Sequence, residues 1–487
     1  MLFNSYIFIF AFLPVTFFVY FYLNHRRLTE ASKGFLVFSS LFFYSWWNII
    51  YLPLILGSIL FNYVLGLQLS REETGVKHYS NKVILTIGVF ANLALLGYFK
   101  YSDFFISNIN NLLMTEIPLL HLALPLAISF YTFQQIAYLV DSYRGETKEY
   151  DFLNYAVFVT FFPQLIAGPI VHHREMMPQF KNVRNQVKNY KNIAVGLFIF
   201  SIGLFKKVVI ADSFAVWANS GFDVAETLSF FEAWITSLSY TFQLYFDFSG
   251  YTDMAIGIAL LFNIKLPINF NAPYKATNIQ DFWRRWHITL SRFLKDYIYI
   301  PLGGNRKGEV HTYTNLFATF LLAGIWHGAG WTFVLWGALH GAALVIHRAW
   351  HKLGFKMYSL LGWFITFNFV NVSWVFFRAN SFDDASKVLK GMFGLSQIEI
   401  SNNLYDTLGF LTAYGIKFSP WLQTIKGDKF TLLWIIGAFV ITLGLKTTVS
   451  YAKHFLPTIK ILLFVVWIVI LDMIFLNQES TFLYFNF

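Results

Sequence analysis

SYIFIFAFLPVTFFVYFYL (Ser5–Leu23) runs for 19 residues without a charge. A helix needs about 20 mostly apolar residues to cross the hydrocarbon core of a bilayer, so this stretch reads as a membrane span. It lacks a basic n-region and a small-residue cleavage site, which argues for a retained span over a cleaved signal. A second run near the other end, IKILLFVVWIVILDMIFL (Ile459–Leu476), has similar length. The chain as a whole is 56% hydrophobic and 13% charged, with a mean hydropathy of +0.53. Ordinary soluble domains carry about 25% charged residues, so composition excludes that class. The apolar runs are continuous where a membrane β-barrel would alternate.

Candidate membrane segments lie at roughly 5–23, 35–47, 49–69, 83–99, 119–140, 152–170, 193–210, 233–262, 313–330, 331–349, 358–377, 430–446 and 457–476. Residues 35–47 end in Trp-Trp-Asn and residues 152–170 end in Gly168-Pro169, and both read as half-inserted. Broken helices survive at membrane depth only when buried in protein or lining a watery cavity. The expected fold is therefore all-α and polytopic. It has about 11 transmembrane helices, with re-entrant and interfacial helices around a central tunnel. Residues 1–487 form one integral-membrane domain in this reading: N-terminal helices to 118, a core over 119–380, and C-terminal helices with a tail over 381–487. No transporter-type internal repeat is evident.

The net charge of +10 is unevenly placed. Residues 171–192 hold five Lys/Arg and one Glu, residues 263–311 hold eight Lys/Arg and three acids, and residues 211–232 hold four acids and no Lys/Arg. The positive-inside bias assigns the two basic segments to the cytoplasm and the acidic one to the outside. Topology alone explains such loops; an electrostatic funnel for an anionic cytosolic substrate is the sharper reading. Neither calls for nucleic acid. Within 263–311, Thr277 is expected to cap a helix starting near Asn278. Trp283, Trp286, Leu290 and Phe293 form one apolar face of it, as in an interfacial amphipathic helix. The GGNRKG turn after Pro301 lacks Walker A spacing. Over 378–429 no span is expected, only a helix Asp383–Phe393 opened by Ser381.

LLAGIWHGAGW (Leu321–Trp331) places His327 among apolar residues and glycines. An ionisable group at membrane depth is a functional hypothesis by default, although a neutral imidazole can also serve only as an interhelical hydrogen-bonding group. A neutral imidazole with a pKa near 6.5 is suited to general-base chemistry. The glycines permit close approach of a substrate or another backbone. His287, in FWRRWH, is either an interface anchor or a group at a cavity mouth, with Arg284 and Arg285 beside it to grip phosphate. His340 reads as structural: on a continuous helix, 13 residues separate it from His327 by about 20 Å. His172 and His173 read as decoration of a basic loop. Asp247 and Asp253, six apart around Gly250, read as polar packing or cavity lining. Lys206-Lys207 read as snorkelling lysines. Cysteine is absent, which removes disulfides, thiolate metal sites and a thiol nucleophile; no metal-ligand spacing accompanies the carboxylates.

FWRRWHITLSRFLKDYIYIPLGGNRKG followed by LLAGIWHGAGWTFVLWGALHG resembles the membrane-bound O-acyltransferase superfamily, in particular its bacterial alginate O-acetyltransferase-like branch. FFPQLIAGPIVHHREMMPQF, FQLYFDFSGYTDMAIGIALLFNIKLPINFNAPY, WVFFRANSFDDA and the terminal FLYFNF carry the same likeness. The resemblance implies that His327 is the catalytic histidine and His287 the second. It further implies transfer of acetyl from cytoplasmic acetyl-CoA to a hydroxyl facing outward. Arg284, Arg285, Arg292 and Lys295 are then expected to hold the phosphates of CoA. Trp326, Trp331 or backbone N–H groups near Gly328 are candidate oxyanion donors, with Asp247 a tunnel residue. Tyr484 is a candidate acyl carrier that hands acetyl to an extracytoplasmic SGNH/GDSL-like acetyltransferase, or else the tail only docks that partner. The final acceptor is a cell-surface polysaccharide (alginate, cellulose or peptidoglycan) and the location the bacterial inner membrane. Two readings compete: D-alanyl transfer to teichoic acid, and a non-catalytic transporter or scaffold.

Overall fold

A computed structural model describes residues 1–70, 80–147, 151–476 and 482–483. The described chain is helical almost throughout, and its strands are one short parallel pair, Glu399–Ser401 with Lys417–Ser419. Five helices are long and apolar enough to cross a membrane: Phe8–His25, Ile49–Ser70, Asn81–Leu113, Tyr190–Val224 and Ser359–Arg378. Others miss that measure for a physical reason. Ile459–Phe475 has 17 residues, and Phe230–Leu261 carries Thr236, Gln243, Asp247, Ser249 and Asp253 buried inside protein. A helix that meets protein on all sides has no need to be uniformly apolar.

Phe230–Leu261, the central helix, is the axis of the fold and is buried from Ser239 to its end. Ser229 and Glu232 form a capping box at its start, where each satisfies a backbone N–H left over by the first turn. The Tyr190–Phe205 helix crosses it at glycine contacts. A methyl on Gly203 would stand 2.7 Å from the Gly250 carbonyl oxygen, and one on Gly257 would stand 2.6 Å from that of Gly196. Small residues at such crossings let backbones approach closely, the main source of helix association in membranes.

The 152–170 segment breaks at Phe161 after a nine-residue helix, and every residue from Asn154 to His173 is buried. Residues 35–45, by contrast, belong to one continuous helix, Thr29–Ser45, and Trp46 and Trp47 follow its end as a turn. The helix expected to open at Ser381 is Phe382–Met392, with the Ser381 hydroxyl accepting from the Asp384 N–H at 3.1 Å.

The largest departure from expectation is at 278–299. Asn278, not Thr277, caps the helix, its side chain accepting from the Asp281 N–H at 2.8 Å. That helix, Ile279–Arg285, stops at Trp286, and a second one runs Ile288–Leu294. Between them His287 is held in the left-handed region at φ +43°, which costs a non-glycine residue about 1–2 kcal/mol. Trp283, Trp286, Leu290 and Phe293 are buried. The pair of short helices is therefore inserted into the protein and does not float at the lipid interface.

Candidate active site

His327 ends the helix Glu309–His327; the chain then runs extended through Gly328 and Gly330 and re-enters a helix at Trp331–Lys352. The two helices pack back to back where a methyl on Gly337 would lie 2.6 Å from the Phe320 carbonyl oxygen and one on Gly324 2.8 Å from Gly337 Cα. The glycines thus admit a second backbone. Because the helix breaks, the His327–His340 separation of a continuous helix does not apply. Both imidazoles pack on Trp336, with ring centroids 5.1 and 4.8 Å away.

His327 is buried and walled by Trp326, Trp336 and Phe377. What fixes it is a residue that sequence reading missed. Lys100, on the Asn81–Leu113 helix, sends its ammonium to the carbonyl oxygens of Trp326 (2.6 Å) and His327 (3.0 Å), with Ser129 Oγ at 3.4 Å. The last carbonyls of a helix lack intrahelical donors and sit at its negative dipole end, so a cation there closes the helix and sets the histidine's backbone. A lysine alone in an apolar span was the available signal.

His287 is fully buried, which rules out the interface-anchor reading. Its tautomer follows from its neighbours. Asn269 Oδ1 accepts from the Thr289 backbone N–H (3.1 Å) and hydroxyl (2.8 Å), so that atom is the amide oxygen. His287 Nδ1, 3.2 Å from the same oxygen, must then carry the proton, leaving Nε2 as the basic nitrogen. His340 is satisfied on both sides, by the Trp283 indole N–H at 3.2 Å and the Ser373 hydroxyl at 3.0 Å, and is structural as expected.

Trp326 stacks on Phe133 at 4.8 Å, Phe133 on Phe293 at 4.1 Å, and Phe293 meets Tyr297 at 4.8 Å. This ladder of rings runs from the neighbour of His327 to Tyr297 in the basic 263–311 segment. It ends in a cluster that corrects the reading of His172 as decoration. His172 is buried, with Nδ1 3.1 Å from Asp141 Oδ2, and the Tyr297 hydroxyl donates to Asp141 Oδ1 at 2.6 Å. Burial and donation to that carboxylate hold the Tyr297 phenol well above its ordinary pKa. His173 is likewise buried, against Tyr138 and Phe158.

Trp331 is half-exposed, and its indole N–H donates to Asn108 Oδ1 at 2.9 Å; it is committed there and does not serve as an oxyanion donor. Lys206 and Lys207 do not snorkel. Lys206 pairs with Asp253 at 2.6 Å, and Lys207 lies buried between Asp212 and Asp247, 2.8 Å from each. Asp247 Oδ2 also accepts the backbone N–H of Leu483 at 2.9 Å. Phe482 beside it is buried, stacked on Tyr251 at 4.4 Å and near Phe248, whose ring meets His287 at 4.8 Å. The C-terminal segment therefore enters the protein next to His287. Tyr484 lies outside the described residues. Of the four basic residues expected to grip phosphate, Arg284 and Lys295 are exposed. Arg285 is engaged by Asp281 of its own helix (2.9 Å), whereas Arg292 reaches Glu175 of the His173–Lys181 helix (2.6 Å) and ties those two elements together.

Two buried imidazoles lie at broken helix ends inside the helical bundle, and comparison with known proteins supplies the class of the protein. Residues 79–381 match the family model of MBOAT, the membrane-bound O-acyltransferases, and the chain belongs to that family and is an acyltransferase. It is 51% identical to a peptidoglycan O-acetyltransferase of Helicobacter pylori, with 100% of this chain and 98% of the relative covered. A probable alginate O-acetylase of Pseudomonas aeruginosa is 42% identical, over 82% of this chain and 76% of the relative. A teichoic acid D-alanyltransferase of Bacillus subtilis is 26% identical, over 53% of this chain and 69% of the relative.

Proposed function

We propose that this enzyme takes acetyl from acetyl-CoA at the cytoplasmic face and delivers it across the inner membrane for O-acetylation of peptidoglycan. The observation that carries the proposal is the burial of both His327 and His287, each at a helix break, the second of them approached by the C-terminal segment. His327 removes the proton of an acceptor hydroxyl as its oxygen attacks the thioester carbonyl. The C–S bond then breaks, and the CoA thiolate leaves with that proton. His287, whose Nε2 is its basic nitrogen, assists proton movement beside it. Arg284 and Lys295 meet the phosphates of CoA at the cytoplasmic surface. The likeness to the peptidoglycan enzyme runs the full length of both chains, whereas the D-alanyltransferase likeness spans about half of this one; this favours acetyl transfer over the D-alanyl alternative.

The first acceptor in this proposal is Tyr484. Its phenol oxygen forms an ester to acetyl, CoA thiol is released, and an extracytoplasmic SGNH/GDSL-like acetyltransferase then takes the acetyl onto its own hydroxyl. The support is positional: Leu483, one residue before it, is tied to Asp247, and Phe482 lies beside the ring that covers His287. Purified protein in liposomes with labelled acetyl-CoA tests the proposal. Acetyl should be released from CoA by wild type and not by His327→Ala; equal turnover by the two would overturn it. Undiminished peptidoglycan acetylation in cells carrying Tyr484→Phe would remove the carrier role alone.

A further inference from the structure

From Lys429 to Leu471 the chain holds four lysines and no Asp or Glu. This stretch folds back beside the Tyr190–Phe205 helix and leaves a cavity of about 510 Å³ between that helix and Ile459–Phe475. Roughly 300–1,000 Å³ is the size range of sites that enclose an organic ligand. The walls are mostly apolar, with Phe198, Ile202, Ile441, Phe464, Trp467 and Ile468 among them, and Lys206, which also lines them, is held by Asp253. The rim is different: Lys446, Thr447, Thr448 and His454 line it, and Lys446, Lys453 and His454 are exposed. Sidedness follows from one contact. Lys275, in the basic cytoplasmic segment, donates to the Leu445 carbonyl at 2.8 Å, so the rim sits at the cytoplasmic leaflet and the apolar walls rise from it toward the bilayer interior.

We propose that this groove is a binding site for one anionic phospholipid of the cytoplasmic leaflet. Its acyl chain lies along Phe198, Ile202 and Trp467, and its phosphate lies at Lys446, Lys453 and His454. The charge order supports this occupant: cations and hydroxyls stand at headgroup depth, with apolar side chains beneath them. Basic pockets between membrane helices on the cytoplasmic side are where anionic headgroups bind, while a zwitterionic lipid gains little from such a rim. The site lies apart from His327 and does not depend on which polysaccharide is modified. It braces the last membrane helix, which leads to the segment anchored at Asp247.

The test uses the full chain in detergent with phosphatidylglycerol carrying brominated acyl chains, which quench nearby indoles. Quenching should saturate and lose its main component in Trp467→Phe. Phosphatidylcholine with the same chains should bind about tenfold more weakly, given that each basic residue near an anionic surface contributes on the order of 1 kcal/mol. Replacing Lys446, Lys453 and His454 together by Gln should erase that preference. Ile202→Trp, which fills the groove, should abolish quenching even if the rim variant fails to fold. Equal affinity for the two lipids, quenching indifferent to Trp467→Phe, or displacement of the lipid by millimolar inorganic phosphate would each overturn the proposal.

Discussion

Replacing Lys100 by Met removes the cation that closes the Glu309–His327 helix while keeping a side chain of similar reach. The Lys100 ammonium donates at 2.6 and 3.0 Å to two consecutive carbonyls, the second belonging to His327 itself. Hydrogen bonds to charged groups contribute roughly 1.5–3 kcal/mol each, so the helix end should loosen and the imidazole shift. A displacement of about 1 Å at a reacting group can lower a rate on the order of a hundredfold, equivalent to about 2.7 kcal/mol in the barrier. Acetyl-CoA turnover in liposomes should fall by that factor with KM nearly unchanged, and Lys100→Arg should recover part of it. A purely stabilising lysine would lower Tm and leave the rate per folded molecule intact. Turnover of Lys100→Met within about threefold of wild type, under about 1 kcal/mol, refutes the positioning role.

The buried cluster at Lys207 should respond asymmetrically. Lys207→Met leaves Asp212 and Asp247 without their shared cation and should cost about 3–5 kcal/mol, whereas Asp247→Asn keeps the Lys207–Asp212 pair and should cost less; chemical or thermal unfolding of the purified variants ranks them. Gly203→Val should prevent the helix crossing, since even a methyl would lie 2.7 Å from the Gly250 carbonyl oxygen, and should appear as lost expression of folded protein by size-exclusion chromatography in detergent. At Tyr297 the folded phenol ionises only above its ordinary range. Its stabilising contribution is therefore complete below about pH 10 and declines above it by at most about 1.4 kcal/mol per pH unit. Tm measured from pH 7 to 11 should show the wild type losing ground to Tyr297→Phe only at the alkaline end.

The helical membrane architecture was legible because the period and length of apolar runs answer to the bilayer directly, and Ser5–Leu23 needed no tertiary partner to be read. His327 was legible as an ionisable group in apolar surroundings, whereas the full burial of His287 was not, because Arg284 and Arg285 beside it suggested an interface or a cavity mouth. Where sequence reading failed, a partner distant along the chain was the cause. Lys206 and Lys207 looked like snorkelling lysines because Asp253 and Asp247 lie 47 and 40 residues on, one crossing away. His172 looked like loop decoration because Asp141 and Tyr297 come from other elements. Arg292 looked free to meet phosphate because Glu175, its partner, lies 117 residues back along the chain.

What the sequence alone determined is thus the class of the fold: long apolar runs make a helical membrane protein, and the broken 152–170 segment requires protein around it. Which polar groups meet inside was settled only by packing. The glycine crossings fix how closely the Tyr190–Phe205 and central helices approach, and the packing of the whole chain brings Lys100 to the end of the His327 helix and the Leu483 N–H to Asp247. Hydrophobicity is a property of each side chain alone, whereas a buried charge is tolerable only beside a partner that the folded chain supplies.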